Sequence, residues 1–241
     1  MTSSTDIKRF YQSVDIVSEE GGYYIALDGK RARATSGACI RCHGEALAEA
    51  VADEWRAQED IIDLNDMPLT ALCAAVSSSE DGADAVYTDN IMAYLQSDLV
   101  CYRAEAPSAL VARQAEEWDG FLTFMDETFS APLTSTAGVM AVAQPKASID
   151  RVRAALKGRS RELLFVLSTL TEITGSAVIA LSLWKRAVTP DAAFDASRLD
   201  EGFQEEKWGV DEEAAARTTA LETAFRAAVL FLELLPDDAR R

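Results

Sequence analysis

Hydrophobic and polar positions alternate with period two over the first forty residues of the chain. "VDIV" is followed by the turn-forming "SEEGG", then "YYIAL", then "DG", then "KRARAT". Asp28-Gly29 between two extended runs marks a hairpin, because glycine readily takes the positive φ of a type I′ turn. "ACIRC", which follows, is a further candidate strand.

From Glu45 the period changes to 3.6. "EALAEAVADEWRAQ" puts Leu47, Val51 and Trp55 on one stripe with acidic residues opposite, which predicts an amphipathic helix. "DMPLTALCAAV" places Pro68 where a helix begins. "DAVYTDNIMAYLQSD" and "PSALVARQAEEWDGFLTFMDETF" predict two more, the second with Val111, Trp118, Leu122 and Met125 on its apolar side. "APLTSTAGVMAVAQP" holds two prolines and a glycine and reads as extended. A helix near Ser148 to Leu156 leads into "LLFVLSTLTEITGSAVIALSLW". That run is long enough to cross a bilayer, but Glu172 lies at its centre among Thr169, Thr171, Thr174 and Ser176. A central charge costs about 2.5–3.5 kcal/mol in a membrane, so the run is expected as a buried helix. In "TPDAAFDASRLDEGFQEEKW", Thr189 caps a helix, Pro190 fits its first turn and Asp191 suits its positive end. The last helix is expected from about Asp211 to Leu235, before Pro236. The pattern predicts an α+β protein, predominantly α. A small N-terminal α+β domain with antiparallel strands, residues 1–65, precedes a helical domain, 66–241.

With 241 residues the chain is long enough for a sizeable core. Its net charge of −17, from 23 basic and 40 acidic side chains, opposes nucleic acid and anionic membrane surfaces. The N-terminus has neither an apolar signal-peptide core nor an Arg-rich transit composition. Four cysteines are too sparse for a disulfide scaffold. The expected setting is a reducing cytoplasm.

"ACIRCHG" contains Cys-x-x-Cys-His, the spelling of a c-type haem attachment site, and His43 is the single histidine of the chain. As a strand, Cys39, Arg41 and His43 face one way and Ile40 and Cys42 the other. Three strand steps set the two cysteine Cα atoms about 10 Å apart, beyond the roughly 7 Å limit of a disulfide. Four zinc ligands would have to include Cys73 and Cys101, and neither belongs to a second C-x-x-C pair. A haem- or zinc-binding protein using Cys39, Cys42 and His43 is thus the alternative, and a strand that spells the motif by accident is the expectation. Neither a P-loop nor a G-x-G-x-x-G turn is present, and one histidine beside a cysteine leaves little material for nucleophilic catalysis. No enzyme, cofactor or small-molecule substrate is expected.

Several segments in order resemble a known family: "RFYQSVDIV", "ALDGKRAR", "LAEAVADEWRAQ", "MPLTAL", "SDLVCYRAEAP", "QAEEWDGFL", "GVMAVAQP", "LTEITGSAVIALSL" and "SRLDEGFQEEKWGVDEEA". Together they are similar to the assembly chaperones for the alpha subunit of the F-type ATP synthase, the ATP-twelve family, over roughly residues 9 to 235. The resemblance implies an N-terminal α+β domain and a helical C-terminal domain. It also implies a protein that holds the unassembled alpha subunit until the beta subunit takes its place, without a nucleotide. Members occur in mitochondria and in some bacteria, and the absent transit composition points to the bacterial cytoplasm. The chain departs from the family at "RATSGACIRCHG", where the family's prolines are missing and the cysteines are its own. That argues against a family-wide role for Cys39, Cys42 or His43.

The resemblance points to "LDEGFQEEKWG" as the partner-binding segment. On a helix Asp200, Gln204 and Trp208 form one stripe. Glu201 and Glu205 border it, and Phe194, Leu199 and Phe203 lie toward the apolar side. Carboxylate, amide and indole in one stripe suit recognition of a protein surface. Asp200, Glu201, Gln204 and Trp208 are the candidate contacts. For Trp208 a second reading stays open, in which it packs in the core and ends the helix at Gly209. Gly202 inside this helix marks either a close helix contact or simple tolerance. Trp55, Trp118 and Trp184 are expected to be structural.

Overall fold

The computed structural model describes residues 7–138, 140–209 and 212–240. The described residues up to Asp81, with those from Leu230 onward, form one compact unit, and Gly82–Val229 form another.

In the first unit, β1 (Ile7–Lys8) leads to β2 (Val14–Glu19), β3 (Gly22–Leu27), β4 (Lys30–Arg31) and β5 (Arg41–Cys42). Then come α1 (Glu45–Arg56), β6 (Ile61–Ile62) and α2 (Pro68–Ser77). β3 pairs antiparallel with β2, β4 and β5, and β1 pairs antiparallel with β6. The Asp28-Gly29 turn has both residues at positive φ, 48° and 76°, as the hairpin reading requires. Asp28 Oδ1 also accepts from the Gln12 and Ser13 N–H groups at 2.9 and 2.8 Å. These bonds hold its carboxyl below the usual carboxylate range. "KRARAT" gives only two ladder residues, because the chain turns away after Arg31 and returns through an Arg33–Cys39 bridge.

α1 lays Leu47, Ala48, Val51, Ala52 and Trp55 against this sheet. From its other side Glu54 reaches the start of α2, where Pro68 occupies the first helical position and has no N–H to give. The Glu54 carboxylate accepts from the next two N–H groups, Leu69 at 2.8 Å and Thr70 at 2.7 Å. Burial pushes that carboxyl up, partly offset by the same N–H groups. One helix thus caps the next. Gly44, at φ 113°, allows the chain to pass Pro236, since a Cβ there would lie 3.1 Å from the proline ring.

The second unit opens with α3 (Ala83–Gln96), β7 (Tyr102–Arg103), α4 (Ser108–Phe129) and β8 (Thr136–Ala137), with β7 and β8 pairing in parallel. It continues through α5 (Lys146–Leu156), α6 (Arg161–Thr174), α7 (Ala177–Trp184), α8 (Pro190–Ser197) and α9 (Leu199–Trp208). α10 (Glu212–Leu234) carries the chain out of this unit, and α11 (Asp237–Arg240) follows in the first. The expected start of the last helix, Asp211, lies outside the described residues. The fold is mostly helical with small antiparallel strands at its N-terminal end, as the pattern predicts.

The apolar run from Leu163 to Trp184 is two buried helices, α6 and α7, broken at Gly175, which takes φ 68°. Glu172 sits on the exposed side of α6, where it accepts from Asn90 at 2.8 Å. Among the described residues, no helix is long and apolar enough to cross a membrane. Thr189 caps α8 as expected, accepting from the Ala192 N–H. The apolar stripe of α4 is Leu110, Gln114, Trp118, Phe121 and Met125, with Val111 and Leu122 half-buried beside it. The expected stripe was offset because a buried glutamine does not read as a core position.

Asp98, fully buried before α7, organises the middle of this unit. Its Oδ1 accepts from the Ser176 hydroxyl at 2.6 Å and the Val100 N–H at 3.3 Å, and its Oδ2 from the Val178 N–H at 3.0 Å. Ser176 in turn caps α7 by accepting from the Ile179 N–H.

Candidate functional site

α8 and α9 are separated by Arg198, whose φ of −112° and ψ of 15° interrupt the expected single helix. α9 carries Asp200 and Glu201 in its first turn and Lys207 in its last, the favourable order for the helix dipole. It stops at Trp208, with Gly209 at φ 85° closing it through a bond from its N–H to the Glu205 carbonyl. Leu199 and Phe203 are buried, and Phe194 of α8 packs against Phe225 with ring centroids 5.2 Å apart. The predicted apolar side is therefore the buried one.

α4 fixes the position of this helix. Gln114, only 1% exposed, donates from Nε2 to Asp200 Oδ1 at 2.7 Å and accepts at Oε1 from the Ala104 N–H at 2.7 Å. Trp118 donates from its indole to the Ala196 carbonyl at 2.9 Å. Arg113 grips Glu206 with two bonds, of 2.7 and 3.1 Å, and this guanidinium holds the Glu206 carboxyl below its ordinary range.

Asp200 is consequently half-buried and engaged, whereas the rest of the stripe faces outward. Glu201 is exposed and takes Arg198 at 2.9 Å, and Gln204 is exposed. Trp208 is 81% exposed, against 7%, 0% and 6% for Trp55, Trp118 and Trp184. The core reading of Trp208 is set aside by that contrast, while its role as helix end stands. Glu201, Gln204, Glu205 and Trp208 line one wall of a hollow of about 490 Å³, and Arg217, Thr218 and Leu221 of α10 line another. Arg198 also lines this hollow, so two carboxylates and two guanidiniums border it beside an uncovered indole, a mixture suited to contact with a protein surface. No atom comes within 4 Å of where a Cβ of Gly202 would stand, so that glycine reflects tolerance and no close helix contact.

The Cys-x-x-Cys-His segment folds as alternation predicts. Ile40 and Cys42 are buried, and Cys39, Arg41 and His43 are half-buried on the other side. The three motif residues are not brought to one point, and no group of three or more His, Cys, Asp or Glu placed for a metal occurs among the described residues.

Two features were missed by reading the sequence. Gln114 was hidden because amides in helical stripes usually face solvent. Ile7, Phe10, Ile61 and Leu64 are exposed around the short β1–β6 ladder, with Phe10 66% and Leu64 59% uncovered. For Ile61 a signal was available in "DIIDL", where two adjacent apolar residues on a strand face opposite sides and only Ile62 is buried.

The sequence model of the family described as "ATP12 chaperone protein" matches residues 8–126 of the chain. The crystal structure of Atp12 from Paracoccus denitrificans aligns with a TM-score of 0.90 at 35% identity, covering 95% of this chain and 99% of that one. A candidate chaperone from Agrobacterium tumefaciens aligns with a TM-score of 0.90 at 35% identity, covering 95% of this chain and 86% of that one. The mitochondrial protein atp12 of Schizosaccharomyces pombe is 20% identical over 219 residues, which cover 86% of this chain and 75% of that protein.

Proposed function

The chain belongs to the ATP12 chaperone family, and we propose that it holds the unassembled alpha subunit of the F-type ATP synthase until the beta subunit displaces it. As a member of a chaperone family it works by non-covalent binding and is not an enzyme. The similarity to the Paracoccus protein supports a bacterial setting for this exchange, and the acidic chain without transit-type composition supports the cytoplasm within it.

An unassembled subunit presents an apolar interface larger than a monomer tolerates and aggregates through it. A chaperone must cover that patch and still leave when the true partner arrives. Moderate affinity from a few anchors with a polar, partly electrostatic rim meets both needs. The outward face of α9 supplies such a set, and the exposure of Trp208 is the observation that carries this reading. Trp208 is the anchor, Glu201 and Gln204 form the rim, and Asp200 contributes its remaining carboxylate surface while orienting the helix through Gln114.

Size-exclusion chromatography of the full chain with freshly diluted alpha subunit tests this. A one-to-one complex that releases the alpha subunit when beta subunit is added is the expected result. An alpha subunit that elutes alone or as aggregate, whatever the amount of this protein, contradicts it.

A further inference from the structure

Cys42 of β5 and Cys73 of α2 lie 31 positions apart in sequence, yet the Cys42 thiol points at Cys73 Sγ from 3.8 Å, and both side chains are fully buried. Ser77, one helical turn beyond Cys73 and so on the same face of α2, fixes the pairing. Its hydroxyl accepts from the Arg41 N–H at 3.0 Å and lies 3.4 Å from the Arg41 carbonyl, to which it donates. Cys73 and Ser77 thus meet two consecutive residues of one strand. The cysteine that shares a sequence motif with Cys42 is a different one. Cys39, three positions earlier in an isolated bridge with Arg33, is half-buried, whereas Cys42 and Cys73 are fully buried.

We propose that Cys42 and Cys73 form an oxidisable dithiol, a modification site at which a glutathione-class disulfide converts them to a bond tying β5 to α2. In the first step one cysteine thiolate attacks a sulfur of oxidised glutathione. The glutathione S–S bond breaks, one glutathione thiolate leaves, and a mixed disulfide forms. The second cysteine, as thiolate, then attacks the protein sulfur of that mixed disulfide and expels the second glutathione. The two protein thiols give up two protons and two electrons, and one glutathione disulfide becomes two glutathione thiols. Because both cysteines are buried, entry follows local opening of β5. A ladder of two residues opens more readily than the six-residue β2–β3 pair. Exchange at this pair is therefore slower than at the half-exposed Cys39.

The experiment incubates the full chain with oxidised glutathione, alkylates the remaining thiols and maps peptides by mass spectrometry. The expected product carries a Cys42–Cys73 disulfide, and in the Cys39→Ser chain its intact mass before alkylation is about 2 Da lower, for the two hydrogens lost. Its melting temperature is raised by about 5–10 °C and returns to the starting value with dithiothreitol. Cys39→Ser leaves the disulfide intact, which keeps the test independent of whether Cys42→Ser or Cys73→Ser fold. A Cys39–Cys42 bond, glutathione adducts alone, or a pair that is still fully alkylatable on unfolding after prolonged oxidation would each overturn the proposal.

Discussion

Trp208→Ala is expected to weaken binding of the alpha subunit at least about tenfold while moving the melting temperature by no more than about 1 °C. The two halves of this prediction have one cause. With 81% of its surface uncovered, the indole contributes little to the fold, so its removal costs the folded state little. In a complex the same surface would be desolvated, and large aromatic anchors commonly account for about 2 kcal/mol or more of binding. Asp200→Lys contrasts with it. That substitution removes the acceptor of the buried Gln114 amide and so lowers both binding and stability, the latter by about 1 kcal/mol. Glu201→Lys, at an exposed first-turn position paired with Arg198, changes binding and its salt dependence while lowering stability by no more than about 1 kcal/mol. Titration calorimetry beside differential scanning calorimetry separates the three. If Trp208→Ala bound as tightly as the parent chain, α9 would not be the contact.

Asp98→Ala is expected to be strongly destabilising, by about 2–4 kcal/mol at pH 7, or roughly 5–15 °C in melting temperature. The substitution leaves the Ser176 hydroxyl and the Val100 and Val178 N–H groups without their acceptor in a fully buried place. It also removes the partner that sets Ser176 to cap α7. Burial pushes the Asp98 carboxyl up to about 6, against the lowering by its donors, compared with roughly 3.9 in an unfolded chain. Between those values the folded chain keeps a proton that the unfolded chain has lost. This group's contribution to stability therefore grows as pH falls from 7 toward 4, and is lost as pH rises through 6. Asp98→Asn has no such proton. The gap in melting temperature between the parent chain and Asp98→Asn is thus wider at pH 5 than at pH 7, and a gap independent of pH would contradict this reading.

Elements that depend on local chemistry were legible in the sequence. The Asp28-Gly29 hairpin, the Pro68 and Thr189 helix starts and the inward–outward alternation at Ile40 to Cys42 each follow from a few adjacent residues. What stayed hidden depends on groups distant in the chain. The apolar run at 163–184 reads as one helix until Gly175 is seen at positive φ, with Asp98 supplying the acceptor for the second start. Residues from Leu230 onward rejoin the N-terminal unit, a return that no periodicity along the chain can encode. At the site, the stripe of Asp200, Gln204 and Trp208 was legible from helical spacing. The half-burial of Asp200 beside two exposed neighbours was not, because the hydrogen-bond partner of Asp200 is 86 positions away. Likewise the cysteine facing Cys42 was visible in space and invisible in the motif.

Light scattering of isolated alpha subunit, diluted from denaturant with and without this protein, asks the central question most directly. Scattering held near its starting level by an equimolar amount of the parent chain, and rising when the chain carries Trp208→Ala, is the expected result. An alpha subunit that aggregates as fast with the parent chain present as without it would contradict the assignment of this protein as its temporary cover.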